Sequence, residues 1–98
     1  MATTVNIEPV GTVTVVEGSN LTITCTDGVA DGATVLLREN TVQLIGPVNT
    51  PSNIINGTAR IFQLPVLRTM DNYTYDCLVG ITGMVSAVIT LNVTCEWN

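Results

Sequence analysis

The residues of this chain with chemistry to offer are three cysteines, Cys25, Cys77 and Cys95, and four Asn-x-Thr triplets that begin at Asn20, Asn56, Asn72 and Asn92. Thiols oxidise in pairs or hold metals, and Asn-x-Thr accepts an N-linked glycan in a secreted protein. Catalytic chemistry lacks its parts. The chain has no histidine, and each Ser, Asp or Glu stands without a base or partner at useful spacing. No catalytic or cofactor-binding residue is therefore expected, and the chain does not read as an enzyme. Asp27 and Asp31, in a loop that also holds Gly28 and Gly32, are the one thin candidate for calcium. Two carboxylates fall short of the roughly six to eight oxygens calcium takes, so the loop reads as solvated and no metal site is expected.

Those residues must be held by strands. Leu21, Ile23 and Cys25 alternate with Thr22 and Thr24, and Tyr75, Cys77 and Val79 alternate with Thr74, Asp76 and Leu78. On a pleated strand each set points to one face. Cys77 is thus an inward cysteine, and Cys25 offers it an inward partner. Val, Thr and Ile dominate the remaining runs, broken by turn residues, as in an all-β chain. Thr3–Val10 reads as an edge strand ended by Pro9 and Gly11. Thr12–Val15 comes next, with Gly18 in the turn before the Cys25 strand. Val35–Arg38 is a further strand, Glu39-Asn40 its turn, and Val42–Leu44 a short partner. Asn56-Gly57 between Ile54-Ile55 and Ala59–Phe62 signals a two-residue hairpin. Phe62, Leu64 and Leu67 form a spaced apolar series before Asp71. Met84–Thr94 reads as the last strand, with Ala87, Ile89, Leu91 and Val93 inward and Val88, Thr90, Asn92 and Thr94 outward.

Ninety-eight residues, 46% hydrophobic and 11% charged, suit one domain with its own core. We expect a single domain over 1–98, its core about 5–94, with 95–98 beginning a continuation or linker. Net charge is −5 and lysine is absent. Arg38, Arg60 and Arg68 are too few and too scattered for a phosphate-binding stripe, which argues against nucleic acid and anionic membrane surfaces. No apolar run approaches the ~20 residues of a membrane helix, so no direct insertion by this segment is expected. Met1–Thr4 lacks the features of a secretion signal. A signal and an anchor are expected to lie outside this sequence.

Asp71-x-x-x-Tyr75-x-Cys77, with Cys25 on an upstream alternating strand, resembles the immunoglobulin superfamily: strands B and F with a tyrosine corner. The resemblance spans Val13 to Thr94 and is of the I-set or C2-like type, seen in extracellular receptor and adhesion proteins. It implies an all-β, immunoglobulin-like two-sheet sandwich with Greek-key topology and one intersheet disulfide, Cys25–Cys77. That bridge is worth roughly 3–5 kcal/mol in the chain-entropy account and implies an oxidising compartment. It implies further that Asp71 braces the corner and that the Tyr75 hydroxyl bonds backbone near the E–F turn. The family's strand-C tryptophan is missing, and Leu37, or else Leu36, takes its slot. Cys95 is left unpaired or interdomain, able to bridge to a following domain or a second chain.

The same frame sorts the surface. Asn20, Asn72 and Asn92 fall toward the end where the chain exits, and Asn56 at the opposite end. Glycans there leave the upper face of strands C, F and G open, where Leu36, Leu78 and Val88 point outward beside Ile81 and Met84 of the F–G hairpin. Clustered exposed apolar residues mark interaction sites. The expectation is a glycosylated extracellular domain of a cell-surface or secreted protein that binds a protein partner through this face. That covers adhesion, receptor binding, homophilic binding and immune or self/non-self recognition. The alternatives are a structural spacer in a multidomain ectodomain, a soluble immune effector, and an intracellular muscle-type I-set module, against which the sequons, the absence of lysine and the pairing of Cys25 with Cys77 argue.

Overall fold

The computed structural model describes residues 5–27, 35–43, 53–80 and 83–95. Among them the strands are β1 (Val5–Glu8), β2 (Thr12–Val16), β3 (Asn20–Asp27), β4 (Val35–Glu39), β5 (Val42–Gln43), β6 (Asn53–Asn56), β7 (Ala59–Pro65), β8 (Thr74–Val79) and β9 (Ile89–Thr94). A 3-10 turn covers Arg68–Met70. One sheet runs β1-β3-β7-β6 and the other β2-β9-β8-β4-β5. β2 lies parallel to β9, and the other ladders are antiparallel. β3 and β4 are successive yet lie in different sheets, as do β7 and β8, the crossed connectivity expected of a Greek key.

Alternation builds the core. Leu21, Ile23 and Cys25 of β3 face Tyr75, Cys77 and Val79 of β8, with Val35 and Leu37 of β4 and Ile89, Leu91 and Val93 of β9 beside them, all buried. Cys25 and Cys77 are joined across the sheets, closing a separation of 52 residues. Leu37 is fully buried and lies in register with Cys77, so it fills the place expected of the missing tryptophan.

Both hairpin turns lie one residue later than the sequence suggests. β4 and β5 close on Glu39↔Val42, leaving Asn40-Thr41 as the turn, both with positive φ (50° and 67°). β6 and β7 close on Asn56↔Ala59, leaving Gly57-Thr58, with Gly57 at φ 64°. In each case a left-handed conformation is needed inside the turn, and that requirement sets the register. Leu67 departs from the expected apolar series and is exposed; Val66 and Met70 are buried instead. The ladder ends at Pro65, Val66 N–H then donates to Ser19 C=O (2.8 Å), and the 3-10 turn swings Met70 inward.

Asp27 also departs from expectation. It is the last residue of β3, opposite Val5, and buried rather than solvated; Asp31 lies outside the described residues. The last strand differs most. Leu78 pairs with Val85, but Tyr75 pairs with Ile89. Three steps along β8 therefore match four along the other strand, a β-bulge opposite Asp76. Past the bulge the expected parity holds for Ile89, Leu91 and Val93. Before it the parity inverts: Ser86 is buried, and Ala87, expected inward, is exposed.

Candidate functional site: the outer face of the five-stranded sheet

The register places three apolar side chains in one row. Leu36 of β4 lies opposite Leu78 of β8, and Leu78 lies opposite Val85. Leu36 and Leu78 are half-buried, while Val85 is 49% exposed and Val88, next to the bulge, is 53% exposed. Met84 borders the row at 36%. Ile81 lies outside the described residues. Val85 is hidden from the sequence, because uninterrupted alternation back from Ile89 points it inward. The bulge reverses that, and the extra residue has no mark in the run Val85-Ser86-Ala87-Val88. Ser86 stabilises the reversal. Its hydroxyl accepts from Cys77 N–H (2.9 Å) and donates to Ala87 C=O (2.8 Å), and its own N–H donates to Cys77 C=O.

Below the apolar row lies an ion pair. Arg38 sits opposite Asp76 and grips both carboxylate oxygens, through Nε (2.8 Å) and Nη2 (2.5 Å). Such a bidentate geometry is the strong form of the contact. Further down, Thr74 pairs with Thr90, and Thr90 with Thr12 of β2. Among the described residues of this face, Arg38 and Asp76 are the charged groups, and they neutralise each other.

Tyr75 is fully buried, and its hydroxyl donates to Glu39 Oε1 (2.5 Å) rather than to backbone near the E–F turn. Tyr75 and Glu39 are cross-strand partners, so the carboxylate is the nearer acceptor. Burial, reinforced by that carboxylate, pushes the phenol well above its ordinary range. Asp71 does brace the corner: its Oδ1 accepts Val93 N–H (2.8 Å). Arg60, by sequence one of three scattered cations, is buried. It donates from Nη1 to Val35 C=O (3.0 Å) on the opposite sheet and lies over the Phe62 ring at 5.4 Å. Burial lowers its pKa. Its position in β7, in step with Phe62 and Leu64, is the available signal.

Asn20, Asn56, Asn72 and Asn92 are all exposed. Asn20 opens β3 opposite Pro65, and Asn72 sits in the corner with φ 70°, donating its N–H to Leu91 C=O. Asn92 lies on the outer face of β9, its Nδ2 donating to Thr14 Oγ1 (3.3 Å). Asn56 closes the β6–β7 hairpin, whose Thr58 carbonyl accepts from the Asp27 N–H at the far end of β3. Cys95 is free and exposed, and Arg68 Nη1 donates both to its Sγ (2.7 Å) and to Glu17 Oε1 (3.3 Å). Among the described residues there is no group of His, Cys, Asp and Glu able to hold a metal, and no helix long and apolar enough to cross a membrane. A shallow, open depression of about 420 Å³ on the other sheet is lined by Asn6, Ile7, Glu8, Val10, Thr24 and Thr26.

No protein-family model matches the chain, and no curated protein does. Solved structures do match. The N-terminal Ig1-2 module of the Drosophila receptor protein tyrosine phosphatase DLAR is similar at 18% identity and TM-score 0.63, over 95% of this chain and 50% of that one. The I9-I11 tandem of titin is similar at 14% and 0.65, over 94% and 34%. An Ig-like domain from a human cDNA is similar at 21% and 0.65, over 93% and 78%. The chain thus spans half of the DLAR structure and about a third of the titin tandem. At these identities the likeness shows a fold, the immunoglobulin-like sandwich.

Proposed function

We propose that this immunoglobulin-like domain is a non-enzymatic, extracellular recognition module that binds a second copy of itself through the outer face of its five-stranded sheet. The observation that carries the reading is the row Leu36, Leu78 and Val85, which runs from β4 across β8 to the segment that bridges to it before β9 and is flanked by Val88 and Met84. Charge selects the partner. The chain is strongly acidic and has no lysine. Elsewhere on its described surface Glu8 and Asp71 would oppose their own copies. On this face the sole described charges, Arg38 and Asp76, are already paired. Two such faces meet without like-charge repulsion and bury apolar side chains at roughly 25 cal/mol per Å².

The Cys25–Cys77 bridge and the four exposed sequons support an oxidising, extracellular setting, in a cell-surface or secreted protein. Glycans at Asn20, Asn72 and Asn92 would hold partners away from the exit end. The free, exposed thiol of Cys95 supports a role for it in bridging to a following domain or a second chain. Adhesion or immune recognition between like molecules is the work this arrangement suits. An NMR dilution series of the Cys95→Ser domain tests it. Self-recognition moves the amide signals of β4, β8 and residues 83–88 with concentration. Shifts confined to the β1-β3-β7-β6 sheet would reject the proposed face.

A further inference from the structure

Asn56 differs from the other three sequon asparagines in its C-terminal neighbour. At two of those three, the neighbour's N–H is engaged: Tyr73 N–H donates to Met70 C=O (3.0 Å), and Val93 N–H to Asp71 Oδ1 (2.8 Å). Leu21, after Asn20, is buried within the β3–β7 ladder. After Asn56 comes Gly57, first of the two central residues of the hairpin turn. In a two-residue turn the closing pair makes the ladder bonds, and the first central N–H points away from the partner strand. Gly57 is exposed, has no side chain, and has open space even where a Cβ would project. An unengaged amide nitrogen thus stands next to an exposed carboxamide.

We propose that Asn56 is a self-modification site: bare, it deamidates through attack by its neighbour, and an N-glycan on Nδ2 prevents this. The Gly57 nitrogen forms a bond to Asn56 Cγ and gives up its proton. The Cγ–Nδ2 bond breaks, and Nδ2 departs with that proton as ammonia, leaving a five-membered succinimide. Water then opens the ring at either carbonyl, giving aspartate or β-linked isoaspartate at position 56. No oxidant or enzyme takes part. A glycan makes the departing group a bulky glycosylamine and shields the carbon that must be attacked. The isoaspartate product adds a backbone methylene beside the closing pair Asn56↔Ala59, which loosens β6, the edge strand of its sheet. The protective half of the proposal rests on the glycosylation reading; the chemistry of the bare chain does not.

The test incubates folded, unglycosylated protein in mildly alkaline buffer and tracks it by native isoelectric focusing and peptide mapping. The proposal predicts one further negative charge beyond the −5 of the sequence, mapped to position 56 and accruing faster than at Asn72 or Asn92. The shift is lost in Asn56→Gln, which folds with the same turn, and slowed in Gly57→Ala. Conversion no faster at position 56 than at the other asparagines would overturn it, as would conversion only after unfolding in urea. Protein from glycosylating cells separates the two halves. Glycosylated Asn56 that converts as fast as bare Asn56 overturns protection. Asn56 found bare there overturns the glycan reading and leaves the bare-chain result standing.

Discussion

Asp76 lies beneath the bulge of the last strand and holds Arg38 by both carboxylate oxygens across the β4–β8 ladder. Asp76 is 5% exposed although it faces outward from the sheet. The pair completes the polar floor below the apolar row, and it removes the last net charge from that face. Arg38→Ala would strand a carboxylate that water barely reaches. We expect a loss of about 1–3 kcal/mol, read from the urea midpoint, whereas replacing both partners with Leu and Val costs less than the single change.

Tyr75 makes stability fall at high pH. Its pKa is raised in the fold, so the folded state keeps the phenolic proton after the unfolded chain, near pH 10, has begun to lose it. Above that point the native state binds more protons than the unfolded chain, so each increment of pH lowers stability. The contribution of Tyr75 is fully present below about pH 10 and declines above it. Tyr75→Phe should flatten this alkaline slope and cost about 1 kcal/mol at neutral pH, through loss of the bond to Glu39. Tyrosinate absorbance during alkaline titration checks the first effect, and urea unfolding the second.

Asp71 ties the corner to β9. Asp71→Ala leaves Val93 N–H without its acceptor in a residue that is 8% exposed. The expected loss is about 1–2 kcal/mol, and Asp71→Asn, which retains an acceptor oxygen, should recover most of it. Hydrogen exchange at Val93 provides a local readout.

Thr41 is a β-branched residue held at φ 67°. That conformation is strained for it and free for glycine. Thr41→Gly is therefore expected to stabilise the protein by about 0.5–1 kcal/mol, less what the unfolded chain gains in freedom. The urea midpoint should rise at unchanged slope.

Where side chains alternate over an unbroken ladder, sequence and structure agree. β3, β4 and β8 show it: Cys25, Leu37, Tyr75 and Cys77 stand where parity and the immunoglobulin resemblance put them. Agreement ends where one residue breaks the count. The bulge opposite Asp76 leaves no visible trace in the sequence, since Ser86 and Ala87 suit a strand either way, and so alternation overlooks Val85 and misplaces Ala87. Tertiary choices are hidden too. The Tyr75 hydroxyl could reach backbone or carboxylate, and only the register with Glu39 decides. Arg60 and Asp27 carry charges that composition assigns to the surface, yet strand position draws both inside. The exposed row thus rests partly on Leu36 and Leu78, legible in the sequence, and partly on Val85, which is visible only in the fold.

Self-recognition through that row is measured most directly by sedimentation equilibrium of the glycosylated domain carrying Cys95→Ser, so that a disulfide cannot mimic association. A reversible dimer is predicted, weakened about tenfold or more by either Leu78→Asp or Val85→Asp and unchanged by Leu67→Asp, an exposed apolar position off the face. A monomer across the accessible concentration range, or a dimer indifferent to both face substitutions, would contradict it and leave the domain as a spacer or the receptor of a different partner.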